Sequence, residues 1–595
     1  MHRPKDSAAT NVINKSDIRN AIGIKGPAGS LAASLIMSVS GLNKINRIYP
    51  SFSKYSGTEF TAAAMKAFRI STDIRTEDLS NIPEKGPFII VSNHPFGGWD
   101  GIVLYDTVAR IRPDFRIFAN YILSLIPNMK DCFLAVNPFT SKKGFNSFRG
   151  LKEGKTHLEN GSCLGIFPAG EVSTYYGKKQ PADKDWNGGI MKLVRNAGCT
   201  VIPVYFDGTN SKWFHFVGKI HPSLRTLNLA NELIKRRGQT ITMRIGKPVP
   251  AGEIAKFTNI EEMGAYLKNR VYALEGTAPS NNPVFNVSAS QHPIVPPLPS
   301  TVLEQEINRL VPLFEVARYQ CFLTDSRDIP GLMREIGRKR EESFRQVGEG
   351  TGKELDTDRF DEYYKHLVLW DKDESKLVGA YRLGIGPEIM DKDGVEGFYT
   401  NTLFNFTPAF TEKLSQSIEL GRSFVSVEYK KEALPLMLLI KGLLYTVIKY
   451  DNIKYLFGPA SISSWIPKYY TSLLVYSMQY FVSVENKGLV SAKTPFEYNF
   501  LRTDLDVLLK GKTDNIDFLD KYLQRISNGY CRFPTLIKKY LKLNAQILTF
   551  NVDKEFNYCV DGMIFLDIDT VPRSEVLLLT KGSDNPEKLL ERFTL

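Results

Sequence analysis

FIIVSNHPFGGWDG, residues 88 to 101, is the stretch on which the reading of this chain turns. Phe88, Ile89, Ile90 and Val91 form an apolar run between Pro87 and the Gly97–Gly98 pair, the pattern of a parallel strand covered on both faces. The run stops just before His94, so the imidazole is expected at the carboxyl end of a strand, the rim where open α/β sheets place their chemistry. Gly97 and Gly98 allow the backbone to turn back and bring Asp100 to His94. A carboxylate beside the ring holds one tautomer and leaves the other nitrogen to take a proton from a hydroxyl. No nucleophilic serine accompanies the pair, so the substrate's own hydroxyl would be the nucleophile. Taken alone, a His and an Asp in a glycine turn equally describe a solvated or capping loop, and the rest of the chain has to decide.

Two later stretches bear on it. Cys163 to Glu171 reads CLGIFPAGE and Val201 to Tyr205 reads VIPVY, each a short apolar strand stopping at a turn or a proline. In order, NHPFGGWD, FPAGE and VIPV resemble the glycerolipid acyltransferase family, which carries N-H-x4-D, then F-P-E-G, then a V-P-V strand; the resemblance spans residues 60 to 250. It implies an O-acyltransferase with His94 and Asp100 catalytic, and with Asn93, Gly97, Gly98, Phe167, Pro168, Gly170 and Glu171 about the substrate. The departures carry information. Five residues rather than four separate His94 from Asp100, and Ala169-Gly170-Glu171 stands in place of Glu-Gly-Thr. Where the family holds an arginine for the acceptor's phosphate, CFLAVNP (Cys132 to Pro138) offers the neutral Asn137, with Arg149 in the next segment as the substitute. A buried phosphate needs a guanidinium or ammonium partner, so the expected acceptor lacks glycerol phosphate. The HPFGG form resembles the branch that O-acylates amino-acid lipids.

At 595 residues the chain is too long for one core and is expected to form two or three domains. Its net charge of +12 favours acidic partners: nucleic acid, anionic lipid headgroups and acidic acyl carrier protein all have the right sign. No zinc-finger spacing or nucleic-acid motif occurs, and Lys142–Lys143, Lys178–Lys179 and Arg236–Arg237 read equally as solvated faces, so nucleic acid is not expected. Six widely spaced cysteines, several in apolar runs, suit a reducing cytoplasm, and no metal site is expected. The first twenty residues have no apolar signal core, which argues against secretion. Ala28 to Leu42 places Leu31, Leu35, Val39 and Leu42 on one helical stripe too short to span a bilayer. Two readings stay open for it: a helix lying in the membrane interface, or one packed on the first domain's core. The first makes the protein peripheral on the inner face of the cytoplasmic membrane. Leu434 to Ile448, broken by Lys441, reads as a core helix.

From Thr61 to Leu274, apolar strands alternate with helical stretches, including FRIFAN, CFLAV, CLGIFP, VIPVYF and ITMRIG, and a helix is expected over Gly144 to Leu158; this predicts a mostly parallel α/β sheet. Residues 1–60 read as a polar tail and an amphipathic helix, 61–275 as the O-acyltransferase domain, 276–300 as a Pro/Ser-rich linker and 301–595 as a second domain. In that second half REESFRQVG, DTDRFDEYYKHLVLWD, LVGAYRL and SIELGRSFVSV follow one another. Their order resembles the acyl-homoserine-lactone-synthase-like branch of the GNAT N-acyltransferases, and specifically the N-acyltransferases of ornithine and glycine lipids, over residues 316 to 570 with FPTLIKKYLKLNAQ and FNYCVDGMIFLDI at its end. The branch's D-x-x-D falls on Asp358 and Asp361, its strand arginine on Arg382, and its E-x-x-R on Glu419 and Arg422. The resemblance implies a GNAT-like α+β domain in which Glu419 is catalytic and Asp358, Asp361, Arg382 and Arg422 bind substrate. An α-amine must lose a proton before attacking a thioester, which calls for a carboxylate, and arginines fix carboxylates or phosphates; the bland alternative is an ion-pair network on a surface hairpin.

No R-x-x-G-x-G/A loop follows Val427, where the text is EYKKEALP. Without amides arrayed by glycines a coenzyme A pyrophosphate loses its usual cradle, so acyl carrier protein is the expected donor, with coenzyme A thioesters the alternative and no cofactor required. As a whole the chain resembles the bifunctional ornithine- or glycine-lipid synthases. That implies N-acylation of an amino acid by a 3-hydroxyacyl group, then O-acylation of the 3-hydroxyl. Two other readings are carried: a lysophospholipid or 1-acylglycerol-phosphate-type O-acyltransferase with a non-catalytic GNAT half, and a non-enzymatic hemolysin-like membrane-binding protein. The amino acid, the acyl chain lengths and the oligomeric state are not legible.

Overall fold

The computed structural model describes residues 11, 14–22, 26–120, 126–136, 147–175, 180–220, 228–277, 291–499, 502–513, 515–580 and 591. Asn137, most of the Pro/Ser-rich segment and the start of the helix expected over 144–158 lie outside them; within them that helix runs Ser147–Glu159. The chain divides into two compact units. The first comprises 1–282 with 500–510 and 523–529, and the second 283–499, 511–522 and 530–595. The first is the expected α/β domain and the second the expected GNAT-like α+β domain.

In the first unit seven strands form one sheet: β1 (Ser71–Ile74), β2 (Phe88–Ser92), β3 (Arg116–Asn120), β4 (Phe133–Val136), β5 (Leu164–Ile166), β6 (Thr200–Phe206) and β7 (Thr240–Ile245), in the order β1-β7-β6-β2-β5-β3-β4. Neighbours run parallel except β7 against β6. Every side chain of β2 is buried, as its unbroken apolar run requires of a central strand covered on both faces. Phe88 and Ile90 pack in one core with Trp99, Val103, Ile202 and Val204. Because β2 lies between β5 and β6 and parallel to both, the chain leaves all three strands at one edge of the sheet, and there the three motif loops meet.

Residues 502–510 and 523–529 depart from the expectation of a single domain over 301–595. Arg502 donates to the Tyr205 hydroxyl at 3.1 Å, and Asn528 donates to Asp78 Oδ1 and the Ile245 carbonyl, each at 3.0 Å. These bonds serve buried polar groups of the first unit, something composition does not reveal. The helix Gly26–Val39 turns its small residues Gly29 and Ala33, with Met37, inward; Leu31, Leu35 and Val39 are 75%, 66% and 70% exposed. The apolar stripe therefore does not pack on the core. Among the described residues no helix is long and apolar enough to cross a membrane.

The second unit holds an eight-stranded sheet of order β16-β17-β14-β13-β11-β10-β9-β8. Its strands are β8 (Phe314–Val316), β9 (Tyr319–Asp325), β10 (Lys365–Asp371), β11 (Lys376–Ile385), β13 (Ser417–Val425), β14 (Tyr455–Ile462), β16 (Gln546–Asp553) and β17 (Cys559–Asp567), while β12 (Phe404–Phe406) and β15 (Val490–Ala492) pair separately. The helix Leu434–Lys449 is largely buried, as expected of a core helix. Strands β13 and β14 run parallel and pair only over Ser417–Glu419 and Tyr455–Phe457. Just past that point Gly458 passes so close to Leu420 that a Cβ would stand 2.0 Å from its carbonyl oxygen. Beyond it the two strands separate, and β13 carries a bulge with Arg422 at φ 48°, a left-handed conformation that costs a non-glycine residue about 1–2 kcal/mol.

Candidate active sites

His94 begins the loop after β2. Its Nδ1 lies 2.8 Å from Oδ2 of Asp100, whose side chain is wholly buried, while the ring remains 17% exposed. Asp100 occupies the first turn of the helix Gly98–Ala109, and the same oxygen accepts the backbone N–H groups of Phe96 and Gly97, each at 3.0 Å. One carboxylate oxygen thus holds both the turn and the ring. The turn requires glycine at 97, where φ is 90° and a Cβ would stand 2.8 Å from Leu229. Gly98 is close-packed, with Leu233 2.8 Å from where a Cβ would be.

The FPAGE loop closes on the histidine from β5. Phe167 stacks on the imidazole with ring centroids 4.1 Å apart. Ser173 N donates to the His94 carbonyl at 2.9 Å, and Asp183, a residue the motifs did not point to, accepts His94 N at 3.2 Å and the Ser173 hydroxyl at 2.6 Å. Burial raises the Asp183 carboxyl above its ordinary range. His94 is therefore anchored through backbone and side chain, with its Nε2 left for a substrate. Pro168 is buried, Gly170 makes the turn at φ 69°, and Glu171 pairs with Lys184.

Two residues expected about the substrate are placed otherwise. Asn93 spends both ends of its carboxamide on the Phe206 backbone, at 2.9 and 2.7 Å, tying β2 to β6. Arg149 is exposed on the helix Ser147–Glu159 with its Nε on Glu153 at 2.9 Å.

In the second unit Asp358, Asp361, Arg382 and Arg422 do come together, in a buried network that also includes Arg340 and Asp356. Asp358 caps a short 3-10 turn, accepting Phe360 N, while Asp361 reaches back to Asp358 N, which accounts for the D-x-x-D spacing. Arg340 grips Asp361 with two N–H groups at 2.8 and 3.0 Å; Arg382 binds Asp358 and lies 3.4 Å from Asp361; Arg422 lies 3.4 Å from both Asp356 and Asp358. Arg340 and Arg382 are each 1% exposed, so the surface-hairpin alternative fails. Removing one member of such a group strands its partners, typically at about 3–5 kcal/mol.

Glu419 is placed differently from the expected proton acceptor. Its carboxylate accepts the Tyr364 hydroxyl, Tyr399 N at 3.1 Å and Thr400 N at 2.6 Å, all within the protein. It anchors the Tyr399 loop. Tyr399 in turn faces Arg422, its hydroxyl 3.4 Å from the guanidinium.

Where β13 and β14 part, a cavity of about 450 Å³ opens, with Arg422 and Tyr399 at its wall. Phe344, Phe424, Phe533, Leu536 and Phe556 make it apolar on several sides. Glu349, Asp553 and Asp561 also line it, and none of the three was singled out by motif. Asp561 nevertheless left a signal: a lone carboxylate inside CVDGMIFL, a strand otherwise apolar and buried, needs a reason to be there.

Comparison with known proteins agrees with this division. A family model described as "Acyltransferase" matches residues 30–279, and one described as "Acetyltransferase (GNAT) domain" matches residues 340–440. The chain is similar to a glycine N(alpha)-acyltransferase of Bacteroides thetaiotaomicron, 28% identical over 295 residues, which are 47% of this chain and 86% of the relative. It is similar to another of the same name from Phocaeicola vulgatus, 29% identical over 286 residues, 44% of this chain and 85% of the relative. A lyso-glycine lipid O-acyltransferase of Phocaeicola vulgatus is 28% identical over 225 residues, 37% of this chain and 78% of the relative. The acyltransferase match thus falls on the unit with the His94–Asp100 pair at its sheet edge, and the GNAT match on the unit with the forked sheet.

Proposed function

We propose that this protein makes a two-chain amino-acid lipid by two acyl transfers. The second unit joins a 3-hydroxyacyl group to the α-amine of glycine. The first then esterifies the 3-hydroxyl: His94 Nε2 takes the hydroxyl proton, the oxygen attacks a second thioester, a C–O bond forms as C–S breaks, and the proton passes to the departing thiolate. Asp100 holds the ring and balances its charge as the proton arrives. The observation that carries this reading is the joining, on one chain, of an acyltransferase domain with the His94–Asp100 pair and a GNAT domain, in a protein whose relatives bear the names of the N- and O-acylating enzymes of glycine lipid separately. Acyl carrier protein is the proposed donor, supported by the glycine-free segment after Val427, a short 3-10 turn running into the helix Leu434–Lys449. The outward stripe of Leu31, Leu35 and Val39 supports peripheral attachment to a membrane surface.

The test is expression in a host without such lipids, with mass spectrometry of the lipid extract. A new lipid with two acyl chains on glycine is expected, and with His94→Ala only the single-chain N-acyl product. Ornithine in place of glycine would correct the amino acid. Acyl transfer to a glycerol phosphate, or no new lipid, would overturn the reading.

A further inference from the structure

Three carboxylates, those of Glu349, Asp553 and Asp561, meet in the cavity at the fork of β13 and β14. Asp561 on β17 stands opposite Ser461 of β14, whose hydroxyl donates to Asp561 Oδ1 at 2.7 Å; Cys559 Sγ lies 3.6 Å from the same oxygen. Asp553 faces it from β16 and Glu349 from the segment after the helix Pro330–Arg345. From β13 comes Arg422, already shared with Asp356, Asp358 and Tyr399; Lys430 faces Glu349 but donates to the Ser343 carbonyl and Gln346. Arg532 also lines it, with Ser423, Ser463 and Thr535, and the rest of the wall is largely aromatic and aliphatic. Such a chamber suits a ligand that brings one compact cation together with an apolar chain. Within the reaction proposed for this unit, that cation is the amino acid's ammonium group and the apolar chain is the incoming acyl group.

We propose that Asp561, positioned by Ser461 and backed by Glu349, is the base that takes the proton from the amino acid's α-ammonium in this cavity, and that Glu419 serves only to hold the Tyr399 loop beside it. This rests on the N-acyltransferase reading above and adds the group that makes the amine a nucleophile. The ammonium gives one proton to Asp561. The freed lone pair attacks the thioester carbonyl, a C–N bond forms and the C–S bond breaks; the second proton on nitrogen goes to the leaving thiolate, and Asp561 returns its proton to solvent. The carboxyl is suited to the step: burial and the charge of Asp553 push it up to about 7, while burial and Asp561 push Glu349 up to about 8. A carboxylate that titrates near neutral pH takes a proton from an ammonium with less mismatch than an ordinary one.

The test uses the full chain with glycine and a 3-hydroxyacyl thioester of acyl carrier protein, with the coenzyme A thioester in parallel. Initial rates are read from about pH 6 to 10 against an enzyme-free blank for thioester hydrolysis. Asp561→Asn should lower kcat/KM for glycine about 10²–10⁴-fold at neutral pH and recover about tenfold per pH unit as glycine's amine deprotonates in solution. Asp553→Asn should move the wild-type acid limb to lower pH, because the negative neighbour that raises Asp561 is gone. Asp561→Asn within about threefold of wild type at neutral pH overturns the assignment. So does a loss that alkaline pH does not restore while Asp553→Asn leaves the acid limb in place, since that is the mark of a structural role. A wild-type chain that acylates no amino acid with either thioester overturns the N-acyltransferase reading itself, and the base with it.

Discussion

Replacing Asp100 with Asn separates the charge of the His94 pair from its shape. Oδ2 of Asp100 serves the His94 ring at 2.8 Å and the N–H groups of Phe96 and Gly97 at 3.0 Å. An amide oxygen in the same place can accept the two backbone N–H groups and face the ring, so the turn should persist, while the amide nitrogen falls where Oδ1 is buried without a partner, at a cost of about 1–3 kcal/mol. What is lost is the charge that balances the ring when it carries the substrate's proton. A full charge pair with centres about 4 Å apart, at the effective dielectric constant of about 20 that fits protein sites, is worth about 4 kcal/mol. At 1.4 kcal/mol per tenfold this is about a thousandfold in the rate of O-acylation. Asp100→Ala removes the acceptor altogether and strands two buried N–H groups, at about 1–3 kcal/mol each, so it should lose more stability as well as activity. The assay is O-acylation of synthetic N-(3-hydroxyacyl)glycine by the full chain, followed by mass spectrometry, with N-acylation by the same preparation as the internal control and thermal melting alongside. If Asp100→Asn keeps a third or more of the wild-type rate, or melts as early as Asp100→Ala, the argument that this carboxylate acts through its charge is wrong.

The remaining predictions concern stability and the donor. Gly97→Ala forces a side chain into φ 90° and against Leu229, and should lower the melting point of the first unit by the equivalent of about 1–3 kcal/mol. Arg382→Ala leaves Asp358 and Asp361 short of a cation and should cost about 3–5 kcal/mol, read by denaturant unfolding; a cost below 1 kcal/mol would mean that the network is far wetter than its burial implies. Asp561 is held above its unfolded value, so the fold favours its protonated form, and wild-type stability should fall as pH rises from about 4 through about 7. Asp561→Asn lacks that dependence and should be more stable than wild type at pH 8, by up to about 4 kcal/mol; equal or lower stability there would contradict the sign. With a net charge of +12 against an acidic carrier, N-acylation should prefer the acyl carrier protein thioester, with a KM that rises as salt shortens the Debye length below its ~10 Å at 0.1 M. Equal use of the coenzyme A thioester, with no salt dependence, would show that another segment binds the pyrophosphate.

What the sequence determined by itself was local. The run FIIVS between breakers demanded a central strand, the glycines after it demanded a turn, and the spacing from His94 to Asp100 brought the two side chains together across that turn. The D-x-x-D spacing likewise specifies a reciprocal cap, and Arg382 and Arg422 fell where a buried acidic turn needs cations. These are short-range consequences of turn chemistry and strand period, and they survive without knowledge of the rest of the chain. Tertiary structure alone decided the long-range matters. Glu419 is next to an arginine motif in sequence, yet the fold encloses its carboxylate with Tyr364, Tyr399 and Thr400, whereas Glu349, far away in the chain, meets Asp553 and Asp561 of the paired strands β16 and β17 in one cavity because strand register and the parting of β13 from β14 bring them there. The same holds for Leu31, Leu35 and Val39: period placed them on one face, but which face packs was settled by the small residues Gly29 and Ala33, which let the helix approach its neighbours on the opposite side. A residue's type and spacing say what it can do; its burial and the charges that face it depend on chain segments hundreds of residues away, and no local pattern encodes them.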